Sequence, residues 1–194
     1  MSEQPYYQVL RDEASREVVH HWWQRLRGNP AGGRSAMPPA ARAILRRSRA
    51  VDDTLLTEGF RQLWFALPAN LRKGWRMPAW GTVAAVLADV ETHVAAKSFA
   101  ATLGAQTERG SGKPFMSELR FSQLQHSHDL DELLRRLRRA VHLLDRATNV
   151  LSLADDILHW HQEQTYGPDI RPQHHLPVRW ATEYFTELSR YHGG

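Results

Sequence analysis

The strongest periodic pattern in the chain lies between residues 116 and 148. Advancing about 100° per residue, Leu130, Leu133, Leu134, Leu137, Val141 and Leu144 fall on one side of a helix, and Arg135, Arg138, Arg139, His142 and Arg146 fall in a narrow arc opposite. Asp129 stands where an N-cap belongs and Glu132, three residues on, completes a capping box. The spacing therefore predicts a helix beginning near Leu130, with one face for a core and the other a row of guanidinium groups.

Upstream, Val18, Val19, Trp22, Trp23 and Leu26 form a broad apolar helical stripe that Gly28-Asn29-Pro30 ends. The stretch AGGRSAM is too rich in small residues for regular structure. Pro38-Pro39 then opens a second helix over about residues 40–50, on which Arg42, Arg46 and Arg49 share a face. A third helix, about residues 53–67, is expected to bury Leu56, Phe60, Leu63 and Trp64; Pro68 ends it, and LRKGWRM makes a basic connection. Pro78 restarts a helix over about residues 79–96, with Trp80, Val83, Leu87, Val90 and Val94 inward. From residue 97 to residue 114 the pattern dissolves into small residues and GAQTERGSGKP, which marks a boundary between two helical lobes, residues 1–97 and 98–194.

Beyond that boundary the pattern gives a short helix near residues 117–125, then the Arg-faced helix. A helix capped by Ser152 follows, carrying Leu153, Ile157, Leu158 and Trp160, and Pro177 starts a last one with Trp180, Tyr184, Phe185 and Leu188. No stretch shows sustained strand alternation. The expected fold class is all-α, two small helical bundles with about seven or eight helices.

Charge changes this picture more than overall composition does. The 42% hydrophobic content and seven Trp mark a globular chain. The absence of cysteine excludes disulfides, thiolate metal sites and cysteine nucleophiles, and fits a reducing compartment. No run approaches the roughly 20 apolar residues of a membrane span, and the first ten residues lack a basic-then-apolar signal pattern, so a cytoplasmic, membrane-free protein is expected.

The formal charge is +4 and the pI about 9.8, which favours an anionic partner. Between Arg34 and Ala88 nine bases face only Asp52, Asp53 and Glu58, and no acid lies between Arg34 and Arg49. Of the 25 bases only Lys73, Lys97 and Lys113 are lysines. An arginine row is either a plain solvated face or an anion-binding surface, and Arg-rich composition also follows from GC-rich coding. What favours the second reading is the rigid donor fork, which grips phosphate through two bonds and stacks on bases.

Candidate chemistry is sparse. Asp155, Asp156 and His159 have a spacing that puts carboxylate and imidazole on one helix face, which reads either as a metal site or as helix electrostatics with a local Asp156–His159 pair. His20-His21, His126-Ser127-His128 and His174-His175 make no HExxH pattern, and there is no phosphate-binding glycine loop, nucleophile elbow or dinucleotide fingerprint. No cofactor is expected.

Several segments together resemble one family. They are Gly33-Arg34 leading to the Arg42–Arg49 segment, SELRFSQL from Ser117, LLRRLRRAVHLLD from Leu133, Leu153-Ala154-Asp155-Asp156-Ile157 with Trp160, and Arg179-Trp180-Ala181 before Tyr184-Phe185. This set is similar to the CasB family, the small subunit of the type I-E CRISPR surveillance complex called Cascade, over nearly the whole chain. The resemblance implies two helical bundles, no catalysis, and two copies arranged head to tail beside the other Cascade subunits. It also implies a basic face that holds guide RNA and target DNA and steadies the displaced strand. Carried over, it assigns Arg34 and Arg42 or Arg46 to the basic N-terminal segment, Arg120 to the SELRF motif, and Arg138 and Arg139 to the paired arginines of the following helix. The chain departs from the pattern in placing Met37-Pro38-Pro39 between Arg34 and the next arginines. With Arg49 and Arg135 from the two basic faces, these are the expected nucleic-acid contacts. Two other readings stay open: a helical scaffold whose arginines pair with acidic subunits, and a metal-dependent hydrolase at Asp155, Asp156 and His159.

Overall fold

A computed structural model describes residues 6–192. The reading of the first ten residues as lacking a signal pattern falls partly outside that range. Ten α-helices and one two-stranded pairing are found among the described residues.

Helix α1, Glu13–Leu26, is capped by Asp12, whose carboxylate accepts from the N–H of Ser15, and it buries Val19, Trp22, Trp23 and Leu26 as its stripe requires. Each buried indole finds a backbone acceptor: Trp22 donates to the Gly59 carbonyl at 2.9 Å and Trp23 to the Val90 carbonyl at 3.3 Å. Helix α2 is Pro39–Arg47, so Arg49 lies beyond its end.

The single helix expected over residues 53–67 is two, α3, Val51–Leu55, and α4, Glu58–Ala66. Thr57 breaks it. Its hydroxyl donates to the Thr54 carbonyl at 2.8 Å and accepts from the Phe60 N–H at 3.1 Å, so one side chain ends one helix and caps the next. The kink turns Leu56 out to 80% exposure, against the expectation that it is buried.

Helix α5, Met77–Leu87, is the hub. Every residue from Ala79 to Leu87 is buried, and the helix packs against α3 and α4. An element that is apolar all round has to be surrounded. It ends nine residues before the expected limit. The chain then runs irregularly into β1, Thr92–His93, which pairs in parallel with β2, Ala147–Thr148.

Part of the expected loop from residue 97 is helix α6, Phe99–Gly104, capped by Ser98 and packed on α10, Leu176–His192. Gly104 is required at that crossing because the Tyr184 backbone occupies the place of a Cβ. The remaining helices are α7, Glu118–Gln125, α8, Leu130–Leu143, and α9, Val150–Tyr166. Asn149 rather than Ser152 caps α9, its amide oxygen accepting from Leu151 and Ser152.

The expected division between residues 97 and 98 falls between β1 and α6. Across it run the β1–β2 pairing and the packing of α5 on α8 and α9, and one continuous apolar core includes side chains from both sides. No helix among the described residues is long and apolar enough to cross a membrane.

Candidate nucleic-acid interface

Helix α8 begins where the capping box placed it. The Asp129 carboxylate accepts from the Glu132 N–H at 2.7 Å, and Glu132 reaches back to the N–H of His128 at 2.8 Å. Leu133, Leu134, Leu137, Ala140 and Val141 are buried beneath it. Arg135 and Arg139 are exposed, and neither makes a hydrogen bond or ion pair among the described residues.

Arg138 does not belong to that exposed row. Its guanidinium donates to the carbonyls of Ser48 at 2.5 Å, Leu45 at 2.7 Å and Ala85 at 3.2 Å, and pairs with Asp89 at 3.1 Å. Leu45 and Ala85 sit in the last turns of α2 and α5, where a cation meets the negative end of each helix. Burial pulls the Arg138 pKa below the ordinary arginine value, with Asp89 opposing.

Arg42 and Arg46 are engaged in the same cluster. Arg46 pairs with Asp89 at 3.0 Å. Arg42 donates to the Ala88 carbonyl at 2.9 Å and lies 3.5 Å from Glu91, which also holds Arg146 at 2.8 Å. Two acids just past the end of α5 thus gather four arginines from α2, α8 and the turn after α8. These arginines pin helices together, while Arg42 and Arg46 also line, with Arg27, a shallow pocket of about 220 Å³.

Arg34, Arg49, Arg120, Arg135 and Arg139 are the expected contacts that remain exposed. Arg34 lies in the exposed segment 31–36, and only the backbone N–H of Arg49 is engaged, by Asp53 at 3.1 Å. Arg120 of α7 and Arg139 of α8 meet across a groove of about 560 Å³, lined also by Met116, Gln123, Leu124, Arg136, His142 and Leu143. No carboxylate lines it. Arg136 is the strut that sets its width: it donates to the Gln123 carbonyl, lies 3.3 Å from the Ser127 hydroxyl and pairs with Glu132 at 2.7 Å. Arg136 and His142 were not singled out from sequence as site residues. Their spacing with Arg139 and Leu143 along α8 carries the signal, once α7 is known to lie alongside.

The possible metal site resolves into internal bonding. Asp155 accepts from three successive backbone N–H groups, Gln8 at 2.7 Å, Val9 at 2.8 Å and Leu10 at 2.7 Å, and so anchors the segment before α1 rather than its own helix start. Asp156 and His159 do not pair with each other; both turn to Arg179 of α10, at 3.6 Å and 3.1 Å, and His159 also meets Glu163 at 3.2 Å. Burial pushes the Asp156 carboxyl well above its ordinary pKa, with Arg179 opposing. Among the described residues no group of three or more His, Cys, Asp or Glu is placed to hold a metal ion.

Comparison with known proteins agrees with this architecture. The family profile for CRISPR-associated protein Cse2 matches residues 41–185, a span that includes every exposed arginine named above except Arg34. A CRISPR-associated protein Cse2 from Thermus thermophilus is 30% identical over 168 residues, covering 84% of this chain and 86% of that protein. The crystal structure of CasB from Thermus thermophilus superposes with a TM-score of 0.56 at 26% identity, covering 89% of this chain and 97% of that one. A second crystal structure, of a Cse2-family protein from the same organism, gives 0.54 at 27% identity with the same coverage.

Proposed function

This chain belongs to the Cse2 (CasB) family of CRISPR-associated proteins, subunits of Cascade, and on that premise we propose that it is the non-catalytic small subunit of a type I-E Cascade, holding nucleic acid without sequence preference. The observation that carries the reading is the convergence of Arg120 and Arg139 on one groove free of carboxylates, with Arg135 beside it on the outer face of α8. Two like charges facing each other without a counter-charge are stabilised by an anion between them.

Guanidinium groups that replace condensed counterions along a phosphate chain give salt-sensitive, sequence-tolerant affinity. Base pairing to the guide supplies sequence discrimination in an RNA-guided system. In this reading Arg34, Arg49, Arg120, Arg135 and Arg139 touch guide RNA, target DNA or the displaced strand. Arg42, Arg46 and Arg138 serve them indirectly, by fixing α2 and α8 on α5. Exposed Leu119, Val178 and Phe185 on α7 and α10 suit association with neighbouring Cascade subunits, including a second copy of this chain. The setting is cytoplasmic antiviral defence.

The test is the double variant Arg120→Glu/Arg139→Glu. Circular dichroism should show it folded, because the buried face of α8 is untouched. Its affinity for every sequence should fall alike, and the log–log salt dependence should flatten by roughly 0.7–0.9 for each phosphate that is no longer neutralised. A folded double variant with unchanged affinity and slope overturns the assignment. Unchanged nucleic-acid affinity with failed assembly would instead mean that the arginines pair with subunit carboxylates.

A further inference from the structure

Where the end of α9 meets the connection that leads into α5, three side chains gather around one indole. Trp75 sits half-buried in a single 3-10 turn, Gly74–Arg76. The His161 ring lies nearly parallel to it at 5.8 Å, Tyr166 meets it edge-on at 5.0 Å, and the Arg76 guanidinium stands 4.7 Å from its centroid. The cluster has polar capacity left over. Arg76 is half-buried and donates to the Gln162 amide oxygen at 3.2 Å, but no carboxylate pairs with it among the described residues. Burial pulls its pKa below the ordinary arginine value. His161 keeps Nδ1 buried without a hydrogen-bond partner. The acids nearest along α9 and its following loop are engaged elsewhere: Glu163 accepts from the Leu176 N–H and meets His159, and Asp169 pairs with Arg171 and His174. Arg72 and Lys73, just upstream, are exposed, and neither side chain makes a hydrogen bond or ion pair among the described residues. A partly desolvated guanidinium without a counter-charge is unfavourable, and a carboxylate brought to it removes that penalty.

We infer that this cluster docks an acidic segment of a neighbouring Cascade subunit, with a carboxylate on the Arg76 fork and an adjoining apolar side chain on the Tyr166 ring. The inference rests on membership of Cascade and not on which arginines touch nucleic acid. Tyr166 is 67% exposed, which leaves it open to a partner. Trp, Tyr and Arg are the side chains that dominate binding energy at protein interfaces. Here the contacts around the indole hold them in place before a partner arrives, which lowers the ordering cost of binding. The planar guanidinium offers parallel N–H groups to the two oxygens of a carboxylate, while Arg72 and Lys73 supply a positive field that steers an acidic segment. An unpaired strand suits the cluster less well, because with three side chains already against it the indole is not an open platform for a base.

The experiment places a photo-reactive side chain at the exposed ring, Tyr166→p-benzoylphenylalanine, in the full chain assembled with the other Cascade subunits and guide RNA, and identifies cross-linked products by mass spectrometry. Capture of a subunit segment that carries Asp or Glu beside an apolar residue is expected. A cross-link to nucleic acid, to a segment without acids, or to nothing overturns the inference. A second measurement uses Arg76→Gln, which removes the charge and keeps a donor for Gln162. Its affinity for the remaining Cascade assembly should fall about tenfold or more, while circular dichroism and the oligonucleotide affinity of the free chain stay as in wild type. Unchanged assembly by the folded variant overturns the docking site and leaves the nucleic-acid reading standing. A fall in oligonucleotide affinity instead makes the cluster a nucleic-acid contact and overturns the protein partner.

Discussion

Arg138 and Asp89 form an ion pair at 3.1 Å beneath α8, where the C-terminal ends of α2 and α5 meet. The neighbouring Arg139 points the other way, into the groove with Arg120. Adjacent arginines on one helix therefore have opposite duties, and substitution should separate them. Arg138→Ala leaves the buried Asp89 carboxylate to Arg46 and takes the donor from the carbonyls of Ser48, Leu45 and Ala85, so a loss of about 1–3 kcal/mol in urea unfolding is expected. Arg139→Ala removes only an exposed charge and should stay within about 0.5 kcal/mol, while weakening nucleic-acid binding. Equal stability of the two variants would contradict the internal role of Arg138.

Acid should loosen the contact between β1 and α9. His93 accepts the N–H of Val150 through Nδ1 at 3.2 Å, and its ring lies 4.9 Å from that of His20. Burial, aided by His20, pushes the His93 pKa down to about 4 from its ordinary 6.5. The folded state thus binds fewer protons than the unfolded chain between those values, and stability rises with pH there. The contribution is complete above about 6.5 and is lost as pH falls toward about 4. His93→Asn offers an acceptor that does not titrate in this range, so it should flatten the stability–pH curve across that window. A curve as steep as wild type would remove His93 as the cause.

Asp155 is a structural anchor on this geometry, and its removal should show as such. Asp155→Ala leaves the N–H groups of Gln8, Val9 and Leu10 without an acceptor, those of Gln8 and Leu10 buried, at about 1–3 kcal/mol for each donor that water cannot reach. Amide exchange of Gln8, Val9 and Leu10 should rise sharply, and the melting temperature should fall. Chelators and divalent ions should leave both unchanged in wild type. A chelator-dependent melting temperature would reopen the metal reading.

What the sequence made legible follows from how local each signal is. The start of α8 was readable because Asp129 and Glu132 act within one turn, and α1 because its stripe is broad and its stop is Gly-Asn-Pro. The break at Thr57 was not, since a hydroxyl that caps one helix while ending another has no composition signature. The inward turn of Arg138 has a geometric origin: a helical wheel shows the angle between side chains but not the elements that cover them. Position 138 flanks Leu134 and Val141, and the ends of α2 and α5 extend the covered arc over it. Just beyond the basic segment that ends at Ala88, Asp89 and Glu91 pair with two of its arginines, Arg46 and Arg42. Pairing of Arg120 with Arg139 across a groove depended on α7 lying beside α8, a tertiary fact.

Limited proteolysis should find the loop at residues 107–113 and yet leave the protein in one piece. Residues 107–113 are all exposed, Gly110 and Gly112 sit at positive φ, and the Thr107 N–H donates to the Lys113 carbonyl at 2.9 Å within the loop. The preceding stretch is held differently. Lys97 pairs with Glu187 at 2.6 Å, the Phe99 N–H reaches the Ser152 hydroxyl at 3.0 Å, and α6 lies against α10. Trypsin is therefore expected to cut after Arg109, since the bond from Lys113 to Pro114 is resistant; the other exposed glycine loop, residues 31–36, offers Arg34 as a second site. The two pieces from the Arg109 cut should co-elute on size exclusion without denaturant, because α5 remains packed on α8 and α9 and β1 on β2. Nicking a loop removes no buried apolar packing, so the unfolding transition should stay single, with its midpoint lowered by the broken chain connection. Two pieces that separate and stay helical would mean that residues 1–97 and 98–194 fold as independent bundles, and that the shared core contributes little to holding them together.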